Sequence, residues 1–240
     1  MVSSRSVLLL GASGLVGSEC LRLLSNDDAF ERVVVLSRRA LDPSALHAKV
    51  EAHVVNFEHL TAAARFFGVN QIICALGTTM KEAGSRQRFR TVDLLYPLTA
   101  AHLGIEQNAS HFLLVSAHGA DPGSYFFYYR IKGELEGGVN ALPYRSVTIA
   151  RPSVLIGKRA HPRTAERIAG LLSFLAPASV RPVKASEVAS ALIQKAALDE
   201  PGRHVLESEE LRRLGREHAR SDVHTRPAPA ADEIPQSSVA

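Results

Sequence analysis

Val7–Gly17, V-L-L-L-G-A-S-G-L-V-G, decides how the rest of the chain is read. Val7, Leu8, Leu9 and Leu10 are apolar without alternation, as a parallel strand buried on both faces requires. Glycines follow at positions 11, 14 and 17. Gly11 suits a tight turn, Gly14 leaves room for a pyrophosphate to approach the backbone, and Gly17 lets the next helix pack closely. From Leu15 the apolar residues Leu15, Val16, Cys20, Leu21, Leu23 and Leu24 keep helical spacing. Strand, glycine turn and helix in that order aim the first-turn amides at an anion, so the stretch reads as a nucleotide-binding turn. A tight turn without ligand is the plainer alternative.

Outward from this stretch, β-type runs recur at Val33–Leu36, Ala52–Val55, Gln71–Leu76, His111–Ser116 and Val147–Ala150, with room for crossover helices between them. Alternation of this kind predicts an α/β fold of the Rossmann type, a doubly wound parallel sheet with helices on both faces. The 240 residues suit one domain, placed at 1–220, with a substrate-pocket segment near 153–183. Within it an amphipathic stretch, Thr164–Leu175, is expected to lid the pocket. A helix over Ser186–Leu198 and a short strand at Val205–Leu206 are expected after it. From Ser221 the proline-, alanine- and serine-rich composition predicts a disordered tail over 221–240.

The composition is 46% hydrophobic and lacks Trp, and no apolar run approaches membrane-spanning length. The apolar tetrad after Arg5 is too short for a secretion signal. A cytoplasmic protein with no membrane partner is expected. Cys20 and Cys74 are lone, and both suit the core. The net charge of +4 is spread among acids with no recognisable nucleic-acid module, so no nucleic-acid partner is expected. No metal-ligand spacing is present.

About twenty residues beyond the glycines, Ser37, Arg38 and Arg39 follow the second strand. An acid there would bond the free ribose hydroxyl of NAD, whereas guanidiniums attract a 2′-phosphate. NADP is therefore expected as cofactor, with NAD as the alternative if the arginines only face solvent.

Ser116 ends the fifth strand in L-L-V-S-A-H-G-A-D, and Tyr128 follows twelve residues later in Y-Y-R-I-K-G-E-L-E with Lys132 four residues on. That spacing puts Tyr128 and Lys132 on one helix face. A lysine ammonium beside the phenol would lower its pKa by about 2 to 3, roughly 3–4 kcal/mol of differential interaction. In a carbonyl reduction Tyr128 would donate a proton to the oxygen and Ser116 would hold that oxygen by a hydrogen bond, with Lys132 also able to bind the nicotinamide ribose.

These blocks, together with C-A-L-G-T-T at 74–79, R-T-V-D at 90–93 and R-P-S-V-L-I-G at 151–157, resemble the short-chain dehydrogenase/reductase superfamily, in particular the atypical Tat-interacting tumour-suppressor oxidoreductase branch, over about Val7–Leu214. The resemblance implies a catalytic group of Ser116, Tyr128 and Lys132. It implies cofactor contacts from Gly11, Ser13, Gly14, Leu15, Val16, Gly17 and Arg38, from Ala75, Leu76 and Gly77, and from Arg151, Pro152 and Val154 near the nicotinamide. The chain departs from the superfamily where the helix after the fourth strand commonly carries an asparagine: Val92 and Asp93 stand there.

Three functions fit this reading. The first is an NADP-dependent oxidoreductase acting on a small carbonyl or alcohol; the second is a cofactor-binding regulator whose nucleotide state alters contact with a protein partner; the third is an epimerase or dehydratase that retains its nicotinamide. Lys158, Arg159, His161, Arg163 and Arg167 are expected to greet an acidic substrate or face water, and His118 to border the site.

Overall fold

The apolar run before the first glycine is an interior strand of the sheet, paired on both sides. The computed structural model describes residues 5–43, 46–157 and 181–225. Its strands β1 (Arg5–Leu10), β2 (Phe30–Ser37), β3 (Val50–Val54), β4 (Gln71–Cys74), β5 (His111–Val115), β6 (Ser146–Arg151) and β9 (Gly202–Glu207) form a seven-stranded sheet in the order β3-β2-β1-β4-β5-β6-β9. Every neighbouring pair is parallel. This is the Rossmann-like α/β fold. Strand order reverses between β1 and β4, and that reversal opens a crevice at their carboxyl ends.

Two apolar layers explain why the strands lack alternation. Leu8, Leu10, Val34, Leu36, Ile72, Phe112 and Leu114 face one side, where they pack with Phe89, Ala100, Leu103, Ile131 and Leu135. Val7, Leu9, Val33, Val35, Ile73 and Leu113 face the other and meet Val16, Cys20, Val188, Leu192 and Leu211. The first layer is covered by α3 (Arg86–Arg90), α4 (Tyr96–Glu106), α5 (Phe127–Asn140) and a 3-10 helix at Phe57–Phe67, which is tighter than an ordinary helix. The second is covered by α1 (Leu15–Asn26), α6 (Ala185–Leu198) and α7 (Ser208–Thr225). A short α2 (Met80–Ala83) precedes α3. Cys20 and Cys74 are free and buried in these layers, and burial pushes both thiols up to about 12.

A π-helical turn, Thr91–Leu95, joins α3 to α4, with the Tyr96 amide reaching back to the Thr91 carbonyl. Pro97 supplies the reason. It has no N–H for the carbonyl four residues back, and its ring would crowd that carbonyl in a regular turn. One extra residue relieves the crowding. Asp93 falls inside the widened turn and is fully buried.

Two features depart from the sequence reading. A two-residue pair, β7 (Leu155–Ile156) with β8 (Val183–Lys184), forms a small second sheet that no run of residues announced. Residues 221–225 of the expected tail belong to α7, which continues to Thr225, and the rest of that expected tail lies outside the described residues. The expected lid helix over 164–175 and the basic residues of 158–167 lie outside the described residues.

Candidate active site

The glycine turn joins β1 to α1 with Gly11 at φ +88°. A methyl on Gly11 would sit 2.5 Å from the Ala75 carbonyl oxygen, and one on Gly17 would sit 2.0 Å from the Gly11 carbonyl oxygen. Gly17 therefore packs on the turn itself. At Gly14 the same methyl would meet the Gly11 carbonyl at 3.3 Å, with the Ala75 oxygen at 4.0 Å. Gly14 is the N-cap of α1, with no side chain capping the first turn and no acid within it. Leu15 and Val16 bury their side chains, so they can offer a ligand only backbone N–H groups. Ser13 is exposed in the turn. These residues fit a dinucleotide's phosphates: an uncapped helix start and, at Gly14, a backbone with no side chain to keep a ligand away.

From the turn the line continues along the strip after β4. The Ala75 amide bonds to the Leu10 carbonyl at 2.9 Å, and a methyl on Gly77 would lie 3.4 Å from Asp93 Oδ1 and 3.8 Å from Lys132 Nζ. In the other direction Arg38 is exposed at the end of β2 and lines a cavity of about 400 Å³ with Val54, Val55, Asn56, Phe57, Glu58, Arg88 and Tyr96. The Ser37 hydroxyl donates to the Arg39 carbonyl at 2.6 Å, which shapes the turn that carries both arginines.

On α5, Tyr128, Lys132 and Glu136 follow at four-residue spacing and share a face. Lys132 is buried and its Nζ lies 2.8 Å from Asp93 Oδ1; the other carboxylate oxygen accepts from the Thr78 amide at 2.9 Å. Burial pulls the Lys132 pKa down, but Asp93 and the Tyr128 phenol outweigh it and leave the pKa raised. Tyr128 is raised as well. Burial is the main cause, and Asp93 and Tyr129 add to it against the opposing pull of Lys132. The lowered phenol expected from the sequence is thus corrected, because burial of the phenol outweighs the Lys132 ammonium, whose charge is also shared with a carboxylate that the Tyr–Lys spacing does not reveal.

The expectation for Ser116 also changes. Its hydroxyl donates to Glu136 Oε1 at 2.5 Å, so while that bond stands it can only accept from a ligand. Glu136 also holds Arg151, whose Nε lies 3.0 Å from Oε1 and whose Nη2 lies 2.5 Å from Oε2. Arg151 Nη1 reaches Glu207 at 3.1 Å, and the His118 ring nitrogen lies 3.2 Å from the same carboxylate. The Arg151 guanidinium, expected at the cofactor, is occupied by two acids. Pro152 is buried and its carbonyl accepts from His118, while the Val154 carbonyl accepts from Val183.

The predicted residues thus form two clusters one helical turn apart on α5: Tyr128 and Lys132 with Asp93, and Ser116 with Glu136 and Arg151. Sequence reasoning missed Asp93 and Glu136 as members. The signal for Glu136 was its position four residues beyond Lys132.

Fold and site together define an NAD(P)-binding, oxidoreductase-like protein of the short-chain dehydrogenase/reductase type. The family model for the semialdehyde dehydrogenase NAD binding domain matches residues 6–87. Protein HTATIP2 of Rattus norvegicus is 35% identical over 170 residues, 70% of each chain, and the mitochondrial protein FMP52 of Debaryomyces hansenii is 32% identical over 155 residues, 64% of this chain and 68% of that one. The chain belongs to this HTATIP2 and FMP52 family of atypical short-chain dehydrogenases/reductases. Among solved structures, MoeE5 in complex with UDP-glucose and NAD superposes with a TM-score of 0.66 at 16% identity, covering 88% of this chain and 81% of that one. The UDP-glucose 4-epimerase of Thermotoga maritima gives 0.65 at 13% identity, covering 92% and 84%; both likenesses are of fold.

The cytoplasmic location expected from the sequence is withdrawn. The FMP52 relatives from Debaryomyces hansenii, Emericella nidulans and Scheffersomyces stipitis are named mitochondrial. Among the described residues no helix is long and apolar enough to cross a membrane, and this says nothing of compartment.

Proposed function

We infer that the protein is an NADP-dependent oxidoreductase that reduces a carbonyl group to an alcohol. One observation carries this reading: the glycine turn, the Ala75–Gly77 strip and the Lys132 ammonium follow one another in space, since a methyl added at Gly11 would meet Ala75 and one added at Gly77 would meet Asp93 and Lys132. A dinucleotide laid along that line would have its phosphates at the α1 start, its adenosine end toward the Arg38 cavity and its nicotinamide beside Tyr128 and Lys132. Reduced nicotinamide supplies a hydride when bound.

This chain's own residues supply the rest. Tyr128, a protonated phenol, donates its proton to the substrate oxygen. Lys132 stabilises the phenolate that remains. Ser116, with its own proton held by Glu136, offers lone pairs to the hydroxyl of the alcohol. Arg38 supports NADP over NAD by offering an exposed guanidinium where a 2′-phosphate would lie.

The test is calorimetric titration of nucleotide-free protein with NADPH and, separately, NADH, followed by a carbonyl-substrate screen with Tyr128→Phe as control. A clear preference for NADPH and loss of reduction in the variant are expected. Absence of binding by either nucleotide would end this reading.

A further inference from the structure

We propose that Asp93 is a positioning residue that holds the resting Tyr128 in its protonated form: by pairing with the Lys132 ammonium inside the π-helical turn, it weakens the pull of that ammonium on the phenol. The proposal rests on the oxidoreductase reading above and extends it to the resting protonation state of the phenol.

The geometry has three parts. Asp93 Oδ1 lies 2.8 Å from Lys132 Nζ, with both side chains at most 5% exposed. Among the described residues Oδ1 has no partner besides that ammonium. Oδ2 accepts from the Thr78 amide, which directly follows the Ala75–Gly77 strip.

Beside a lone ammonium a phenol ionises readily. Beside an ammonium already neutralised by a carboxylate, the tyrosine meets a compact dipole of little net charge, and burial then favours its neutral form. The groups that act on the phenol are Lys132 on its own helix, Asp93 on the π turn and the neighbouring Tyr129. Cys74 on β4 faces Lys132, and its buried thiol stays neutral below about 12. The ring of Phe89 on α3 packs 5.7 Å from Tyr128 and carries no charge. Among the described residues Asp93 is the carboxylate paired with the ammonium that shares a helix face with Tyr128. The raised Tyr128 and Lys132 values agree with this arrangement.

A buried ion pair can serve the fold alone, and such pairs contribute little net stability. Tyrosine titration separates the two roles, since a purely structural pair would leave the phenol's ionisation unchanged. The chain has five tyrosines and no tryptophan, so near-ultraviolet phenolate absorbance is free of indole overlap. Subtracting the titration of Tyr128→Phe from that of the unaltered protein isolates Tyr128.

Its midpoint is expected above the ordinary tyrosine value of about 10. In Asp93→Asn, again taken against Tyr128→Phe in the same background, it should fall by about one pH unit or more. Adding Lys132→Met to Asp93→Asn should raise it again. A midpoint at or below the ordinary value in the unaltered protein would overturn the proposal, as would an unchanged or higher midpoint in Asp93→Asn, or a low midpoint that persists without Lys132. Should Asp93→Asn not fold, Asp93→Ser is titrated in its place against Tyr128→Phe in the same background, with the same fall expected and an unchanged or higher midpoint again overturning the proposal. The titration needs neither nucleotide nor substrate, so its failure is distinct from a failure of the oxidoreductase reading.

Discussion

Ser116 gives its only hydroxyl proton to Glu136, 2.5 Å away, although twenty residues separate them in the chain. The same carboxylate is bonded through both oxygens to Arg151. Among the described residues, removing Arg151 leaves this buried acid with a single neutral partner, Ser116. Arg151→Met should therefore cost about 3–5 kcal/mol, whereas Glu136→Gln should cost about 1–3 kcal/mol. The double variant should lose less than the sum. Urea denaturation of the three variants checks this, and strict additivity would mean that the contacts are not coupled.

Gly14 and Gly17 should separate binding from folding. Gly17→Ala places a methyl 2.0 Å from a backbone oxygen that cannot swing away, so a loss of about 2 kcal/mol or more is expected. Gly14→Ala meets its neighbour at 3.3 Å with an ordinary backbone φ of −83°. Its melting temperature should stay close to that of the unaltered protein while NADPH affinity drops about tenfold or more. Unchanged nucleotide affinity would remove the turn from the cofactor site.

Arg38→Ala should weaken NADPH by about tenfold or more, which is at least roughly 1.4 kcal/mol, and NADH by no more than about twofold. Calorimetry with both nucleotides reads the difference. Equal weakening would mean that the guanidinium does not meet a 2′-phosphate.

His111 is buried at the start of β5, with Nε2 2.9 Å from the Thr148 hydroxyl and Nδ1 3.2 Å from Asp199. Burial pulls its pKa down to about 4, against the opposing effect of Asp199. Because the folded value lies below the unfolded one, its contribution is present in full above the unfolded value of about 6.5 and is lost as pH falls toward 4. Unfolding free energy should decline across that window. His111→Gln should flatten the decline, at a cost of about 1 kcal/mol at neutral pH.

The sheet was legible because each strand's information is local. Val7–Leu10, Val33–Leu36 and Val147–Ala150 carry their apolar character in consecutive residues, and the glycine turn sits directly between a strand and a helix. Leu155–Ile156 and Val183–Lys184 escaped because a two-residue strand exists only through its partner. The same limit hid half of the site. Lys132 suggested a free ammonium until the fold brought Asp93 to it across 39 positions, and Arg151 suggested a cofactor ligand until Glu136 and Glu207 closed around it. Spacing along one helix reveals which side chains share a face. It does not reveal what the facing element offers them.

Pro97 gives the π turn a role out of proportion to its own contacts. Each residue of an α-helix advances the side chains by about 100°, so the one-residue surplus between α3 and α4 works as an angular offset that turns Asp93 toward α5. In this chain the direction of the acid and the presence of the proline are consequently one structural feature.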